Sequence, residues 1–171
     1  MAKRANTLFH DEEIQITLPD AFALYHVDAP QASWSQGWQG KRVDWAWEEP
    51  NHYFLCGLKD PDCLGASQHP PPHGSHKQAV LAELSASPNA IAQKAEETIR
   101  QHPPTQSNKK PLIFIVLIAI SDPAFDSAVQ QTAAGTVERE LLRKGVIARV
   151  VVVNLASWNT LLGPRSINRV P

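Results

Sequence analysis

The sequence predicts one α/β domain built on a mixed β-sheet. Residues 41–59 alternate like strands on both sides of a turn at 49–51, which predicts a β-hairpin. Residues 112–120 are apolar at every position, as expected of a central strand covered by helices on both faces. Segments with the apolar spacing of helices lie between the later strands. Strands followed by helices that cross back onto a sheet indicate an α/β sandwich. The length of 171 residues fits one such domain with its own core.

The remaining elements follow from periodicity and from capping residues. Residues 1–19 predict a weakly ordered start with at most a weak helix, and 21–27 a short strand. Later elements are predicted in this order: a helix over 76–86, a helix to about Gln101 that begins at Ser87-Pro88, a helix from Asp122-Pro123 towards Lys144, a buried inner strand over 146–153, and a short helix over 155–162 capped by Asn154. Residues 60–76 and 102–111, which are rich in proline, predict surface loops.

Composition narrows the possible functions. Formal net charge is −1, whereas a dedicated duplex-binding domain is usually strongly basic, which argues against a protein that simply coats DNA. Residues 139–171 nevertheless hold six basic residues and one acidic residue, a local charge of +5. This segment predicts either a local basic face or ordinary solvated surface charge.

The chain carries no sign of secretion or of a membrane span. Cys56 and Cys63 do not form a disulfide framework, and residues 5–11 lack the apolar core of a signal peptide. The longest apolar run, at 112–120, has 9 residues, far fewer than a span requires. We therefore expect a cytoplasmic protein with no membrane partner.

The hairpin holds the residues best suited to chemistry. Asp44 lies on the first arm and Lys59 lies 15 positions later on the second, so that tight pairing would bring both towards the same sheet edge. Carboxylates hold Mg²⁺ through oxygen ligands, and the metal polarises a phosphate and activates water. A nearby lysine stabilises the negative charge that develops during hydrolysis.

The hairpin resembles the core of the PD-(D/E)XK, or restriction-endonuclease-like, nuclease superfamily. In that core an aspartate on one strand is followed by an acidic-x-lysine triplet on the next; Asp44 and Lys59 match these positions, and Asp60-Pro61 completes a Lys-Asp-Pro ending. Lys94 resembles the lysine of the helix that follows, and residues 112–120 and 153–159 (VNLASWN) resemble later segments. The resemblance covers about residues 20–171. The resemblance implies a mixed sheet flanked by helices, with DNA as partner. It implies that Asp44 is a metal ligand and catalytic residue, that Lys59 is the catalytic lysine, and that Lys94 contacts a phosphate. An active enzyme would use Mg²⁺ as cofactor.

One departure bears directly on activity, because Gly57 occupies the triplet position that should be acidic. Three explanations are open: an acidic residue supplied from elsewhere, a non-catalytic descendant of a nuclease, or a substitution relative to the parent sequence. The candidates for a relocated acid are Glu49, Asp60, Glu83 and Glu97. We predict a relative of Mg²⁺-dependent DNA nucleases with impaired or lost phosphodiester hydrolysis; an active chain would be a metal-dependent nuclease.

Other interpretations of the same residues are open. The same fold could serve as a protein-interaction module, and Trp34 and Trp38, in the stretch before the hairpin, are candidates for stacking on bases or for a protein contact. Asp44 could be a buried, hydrogen-bonded carboxylate without a catalytic role. Cysteines and histidines over 56–73 loosely suggest zinc, but they lack a close cysteine pair and are better explained as a buried thiol and a solvated loop.

Overall fold

A computed structural model of the chain describes residues 7–11, 14–21, 23–27, 42–59, 82, 84, 86–101, 110–120 and 125–169. The fold is mixed α/β, as the sequence predicts. Its main sheet has five strands: β3 (Ala23–His26), β4 (Trp45–Glu48), β5 (Tyr53–Lys59), β6 (Leu112–Ile118) and β7 (Arg149–Val153). They lie in the order β3-β4-β5-β6-β7, with antiparallel pairing through β5 and parallel pairing from β5 to β7.

The predicted hairpin is confirmed. Strands β4 and β5 pair antiparallel, with Trp45 opposite Cys56 and Glu48 opposite Tyr53. Asp44 extends the pairing, since its backbone N–H donates to the carbonyl oxygen of Cys56 at 3.0 Å. The turn therefore fixes the register that brings Asp44 opposite Gly57.

A second sheet includes the start of the chain, where the sequence predicted at most a weak helix. It consists of β1 (Thr7–Asp11), β2 (Ile14–Leu18) and β8 (Ser166–Arg169), all antiparallel, in the order β1-β2-β8. In β2 the alternate residues Ile14, Ile16 and Leu18 are buried. This period of two is that of a half-buried strand, which turns one apolar face towards the core.

Three helices have clear boundaries in the described ranges: α1 (Pro88–Gln101), α2 (Ser127–Arg143) and α3 (Leu155–Leu161). Helix α1 begins at the predicted Ser87-Pro88, and Asn154 caps α3 as predicted. Helix α2 begins later than expected, because Asp126 accepts hydrogen bonds from the N–H groups of Ala128 and Val129. The predicted cap, Asp122, lies outside the described residues.

The main sheet separates two apolar clusters. Helices α1 and α2 cover one face, called here the helix face, with Phe114, Val116 and Ile118 of β6 pointing towards them. Helix α3, β2 and β8 cover the opposite face, with Ile115 and Leu117 pointing that way. Strand β6 is thus buried on both faces, as its composition predicts.

The prediction that 146–153 forms an inner strand is wrong in one respect. Strand β7 is the last strand in the order of the described sheet, and Ile147, just before it, is 84% exposed. The backbone N–H of Val150 donates to the Glu138 carboxylate of α2 at 3.0 Å, so a side chain satisfies this donor of the edge strand. Across the described ranges, none of the helices has the length and apolar character needed to cross a bilayer.

Candidate functional site

Asp44 and Gly57 lie on the same face of the sheet. The Oδ2 atom of Asp44 accepts a hydrogen bond from the backbone N–H of Leu58 at 2.7 Å. A Cβ atom added to Gly57 would lie 4.0 Å from this Oδ2 and 3.9 Å from Cε2 of Phe114, a residue of the helix face. A side chain at position 57 would therefore project beside the Asp44 carboxylate.

Lys59 joins this group from two positions further along β5. Side chains two residues apart in a strand share a face, and Gly57 and Lys59 line one narrow cleft together with Lys94 of α1. The structure thus places Asp44 and Lys59 on one face, as the hairpin prediction requires. Their catalytic roles remain predictions.

The cleft between β5, β6 and α1 is small and mostly apolar. Its volume is about 20 Å³, room for about one water molecule. Apolar side chains form most of its wall: Leu84, Ile91, Phe114, Val116 and Ile118. The cleft is therefore too small to enclose a phosphate group.

A threonine fixes α1 against the strand that carries Asp44. The hydroxyl oxygen of Thr98 accepts a hydrogen bond from the backbone N–H of Val43 at 3.0 Å, and the hydroxyl donates to the carbonyl oxygen of Lys94 at 2.7 Å. Thr98 is fully buried. One side chain thus couples the residue before Asp44 to the helical turn that carries Lys94.

The described residues do not fit a resident magnesium ion. Mg²⁺ prefers an octahedral set of oxygen ligands that includes one or two carboxylates. Asp44 supplies a single carboxylate, one of whose oxygens already accepts the Leu58 N–H, and Gly57 supplies no ligand. Within the described ranges there is no cluster of three or more histidine, cysteine, aspartate or glutamate residues suited to a metal.

Glu49 is not suited to the role of relocated acid. It lies five residues beyond Asp44, roughly 16 Å away at about 3.3 Å per strand residue. Its carboxylate accepts a hydrogen bond from Nε1 of Trp47 at 3.1 Å and forms a two-pronged ion pair with the guanidinium of Arg165. Glu49 is 4% exposed, so this carboxylate serves a buried contact at the other end of β4.

The other proposed site residues are only partly described. Glu97 follows Lys94 by one turn of α1 and accepts a hydrogen bond from Nε2 of Gln93 at 2.5 Å, and it remains a candidate by position. The residues that lie outside the described ranges are Asp60, Glu83, Trp34 and Trp38.

Cys56 fits the interpretation of a buried thiol. Its side chain belongs to the apolar cluster on the face opposite the helix face. Burial raises the pKa of the thiol well above its ordinary value, and the negative charge of Asp44 raises it further. Cys63, His69 and His73 lie outside the described residues.

Sequence reasoning missed a buried polar cluster around Glu48. Glu48 is 2% exposed, and its Oε1 lies 3.8 Å from Nζ of Lys110, whose side chain is 5% exposed. Burial raises the pKa values of Tyr25 and Tyr53, and the negative charge of Glu48 raises both further. The alternation of side chains along β4 indicates the position of Glu48, because it places Glu48 on the same inward face as Asp44 and Ala46.

Comparison of the chain with family models, with curated proteins and with solved structures gave no match. The resemblance to restriction-endonuclease-like nucleases therefore stays a prediction from the sequence.

Proposed function

We propose that this chain is a restriction-endonuclease-like protein, related to Mg²⁺-dependent DNA nucleases, with impaired or lost phosphodiester hydrolysis. In this proposal Lys59 and Lys94 contact a backbone phosphate of DNA. The observation that carries it is the position of Gly57, beside the Asp44 carboxylate and two residues before Lys59 on the same face. A glycine thus stands where a second carboxylate would complete a metal site.

The positive charge of Lys94 supports phosphate binding at the cleft. Two lysines line the cleft, and Lys94 forms no ion pair in the part of the chain that the structure describes. Neutralising a DNA phosphate with a lysine releases condensed counterions, which is the main source of affinity without sequence preference. Among the described residues, Lys94 therefore offers its positive charge to a phosphate at the cleft.

Hydrolysis requires more than these residues supply. A metal-activated water needs an ion held firmly next to the scissile phosphate. With Gly57 in the triplet position, Asp44 is left to hold the ion with a carboxylate that also accepts the Leu58 N–H. We therefore expect this chain to keep phosphate binding although its catalysis of hydrolysis is impaired or lost.

Binding of a fluorescent DNA duplex, followed by anisotropy over a series of salt concentrations, tests the phosphate contact. Lys94→Ala should weaken binding and reduce the magnitude of the log–log salt slope by about one. Lys144→Ala is the matched control, because Nζ of Lys144 lies 3.6 Å from Glu96 and away from the cleft; it should change affinity much less. A wild-type protein that does not bind the duplex, or a Lys94→Ala variant that binds like wild type, contradicts the proposal.

Plasmid cleavage in the presence of Mg²⁺ tests the loss of hydrolysis. We expect no cleavage above background. Robust cleavage that Asp44→Ala abolishes would instead indicate an active nuclease with a relocated acid, and Glu97→Gln would then be the next variant to assay.

A further inference from the structure

A second cavity lies on the face opposite the helix face, where strands β5, β6 and β7 begin. Its volume is about 240 Å³, and three of its lining residues carry or can carry positive charge: His52, Arg149 and Arg165. Phe54 forms part of the apolar wall, which also includes Leu161 at the end of α3 and its C-cap residue Leu162. No residue of the Asp44 site lines this cavity.

Contacts with Glu49 and Phe54 hold the Arg165 side chain at the cavity wall. Its Nε donates to Oε1 of Glu49 at 2.5 Å, and its Nη2 donates to Oε2. The guanidinium carbon also lies 4.8 Å from the centre of the Phe54 ring, which is stacked on Trp47. Its Nη1 also donates to the carbonyl oxygen of Leu162 at 3.4 Å. A guanidinium has five N–H donors, so two remain for a further acceptor.

Arg149 brings a positive charge that no carboxylate balances among the residues that the structure describes. It is exposed at the first position of β7, and its side chain forms no ion pair or hydrogen bond in the described ranges. Arg165 is paired with Glu49, so among the lining residues that the structure describes Arg149 carries the unbalanced positive charge. Apolar walls strengthen the field of such a charge, because they keep high-dielectric solvent away from one side of it.

We infer that this cavity binds a small oxyanion, phosphate or a terminal phosphomonoester, through Arg149 and the free donors of Arg165. Guanidinium groups bind phosphate oxygens in a planar, two-pronged geometry. The cavity is smaller than the roughly 300 Å³ at which pockets for drug-sized ligands begin, so it suits a compact anion. This inference does not rest on the proposed nuclease relationship.

A neighbouring groove leaves room for the remainder of a larger ligand. It has a volume of about 440 Å³, runs beside β7 between α2 and α3, and shares Arg149, Val151 and Leu161 with the cavity. Its wall also carries polar side chains, among them Gln131 and Ser157. A phosphomonoester bound at Arg149 could therefore extend its organic portion along β7.

Titration calorimetry with inorganic phosphate at low ionic strength and constant chloride tests the site. We expect saturable binding to wild type and at least a roughly ten-fold loss of affinity in Arg149→Gln, the scale of one lost hydrogen bond to a charged group. Arg139→Gln is the matched control, since this exposed arginine contacts its own helix at the Gly135 carbonyl oxygen, 3.3 Å away; its affinity should stay as in wild type. Lys94→Ala should also bind phosphate normally, which separates this site from the proposed DNA contact.

A second titration identifies the source of the anion. If adenosine 5′-monophosphate binds more tightly than phosphate and adenosine does not bind, the ligand is a terminal phosphomonoester with its organic part in the groove. Equal affinity for phosphate and the nucleotide indicates free phosphate. The inference is overturned by wild-type protein that shows no saturable binding of either anion, or by Arg149→Gln that binds phosphate as tightly as wild type.

Discussion

At the scale of single residues, the absence of a side chain at position 57 matters most. Gly57 lies inside β5 and, unlike Gly145 with φ of 77°, does not adopt the left-handed conformation that favours glycine. Its nearest neighbours around an added Cβ, Phe114 and Asp44, stand at 3.9 and 4.0 Å, an ordinary van der Waals separation. Backbone geometry therefore does not require glycine at this position.

We predict that Gly57→Glu folds and binds Mg²⁺ at least about ten-fold more tightly than wild type, on the scale of one added charged ligand. The new carboxylate would lie next to Asp44 and supply a second hard oxygen ligand. Calorimetric titration with MgCl₂ measures the change, and Gly57→Gln is the control of equal size without the charge. Equal Mg²⁺ affinity in the two variants would show that position 57 is not part of a latent metal site.

The hydrogen bond between Asp44 and the Leu58 N–H could not be read from the sequence. Residue types and spacing predicted that Asp44 and Lys59 would share a face. Whether the carboxylate turns towards solvent, towards a metal or back onto the backbone depends on the local geometry at the start of β4, which only the folded chain supplies.

At the scale of elements, the contact between α1 and the start of β4 determines the position of Lys94 relative to Asp44. Lys94 lies on a turn of α1, and Asp44 directly precedes β4. The helical spacing of Ile91, Ala95, Thr98 and Ile99 predicts the inward face of α1. In the structure Ile91, Ala95 and Thr98 are buried, and Ile99 packs partly buried against the same core. The partner of the Thr98 hydroxyl, the Val43 N–H, was not predictable, because the two residues are 55 positions apart in the chain.

Thr98→Val should lower the free energy of unfolding by about 1–3 kcal/mol, because the buried Val43 N–H loses its acceptor while the shape of the side chain is kept. Thr132→Val in α2 is the matched control: its hydroxyl donates to the Ala128 carbonyl oxygen at an exposed position, and its change should stay within about 0.5 kcal/mol. Urea denaturation of the three proteins measures both differences. Equal midpoints for wild type and Thr98→Val would mean that Val43 is satisfied in another way.

At the scale of the whole molecule, the pair formed by Glu49 and Arg165 connects the two sheets. Glu49 follows β4 of the main sheet, and Arg165 directly precedes β8 of the second sheet. The two side chains are 5% and 17% exposed, and Nε1 of Trp47 adds a hydrogen bond to the same carboxylate. This contact holds the end of the chain against the main sheet.

Glu49→Gln should lower the free energy of unfolding by about 3 kcal/mol or more, because it leaves the charge of Arg165 largely buried and unbalanced. Glu140→Gln is the control, as its ion pair with Arg143 lies on an exposed face of α2 and should contribute less than about 1 kcal/mol. Thermal or urea unfolding compares the two variants. Similar losses in both would show that the buried pair does not stabilise the link between the sheets.

The sequence by itself determined the hairpin, the central strand β6, the boundaries of α1 and α3, and the face shared by Asp44 and Lys59. These features depend on local periodicity, on turn residues and on caps, which act over a few residues. Only the tertiary structure decided that 14–18 pairs with the C-terminal strand β8, that β7 is the last strand of the described sheet, and that Glu49 bonds Arg165. Side-chain polarity records which face of a strand is buried, but it does not record the neighbour along the sheet, because that neighbour is joined through backbone groups that every residue carries.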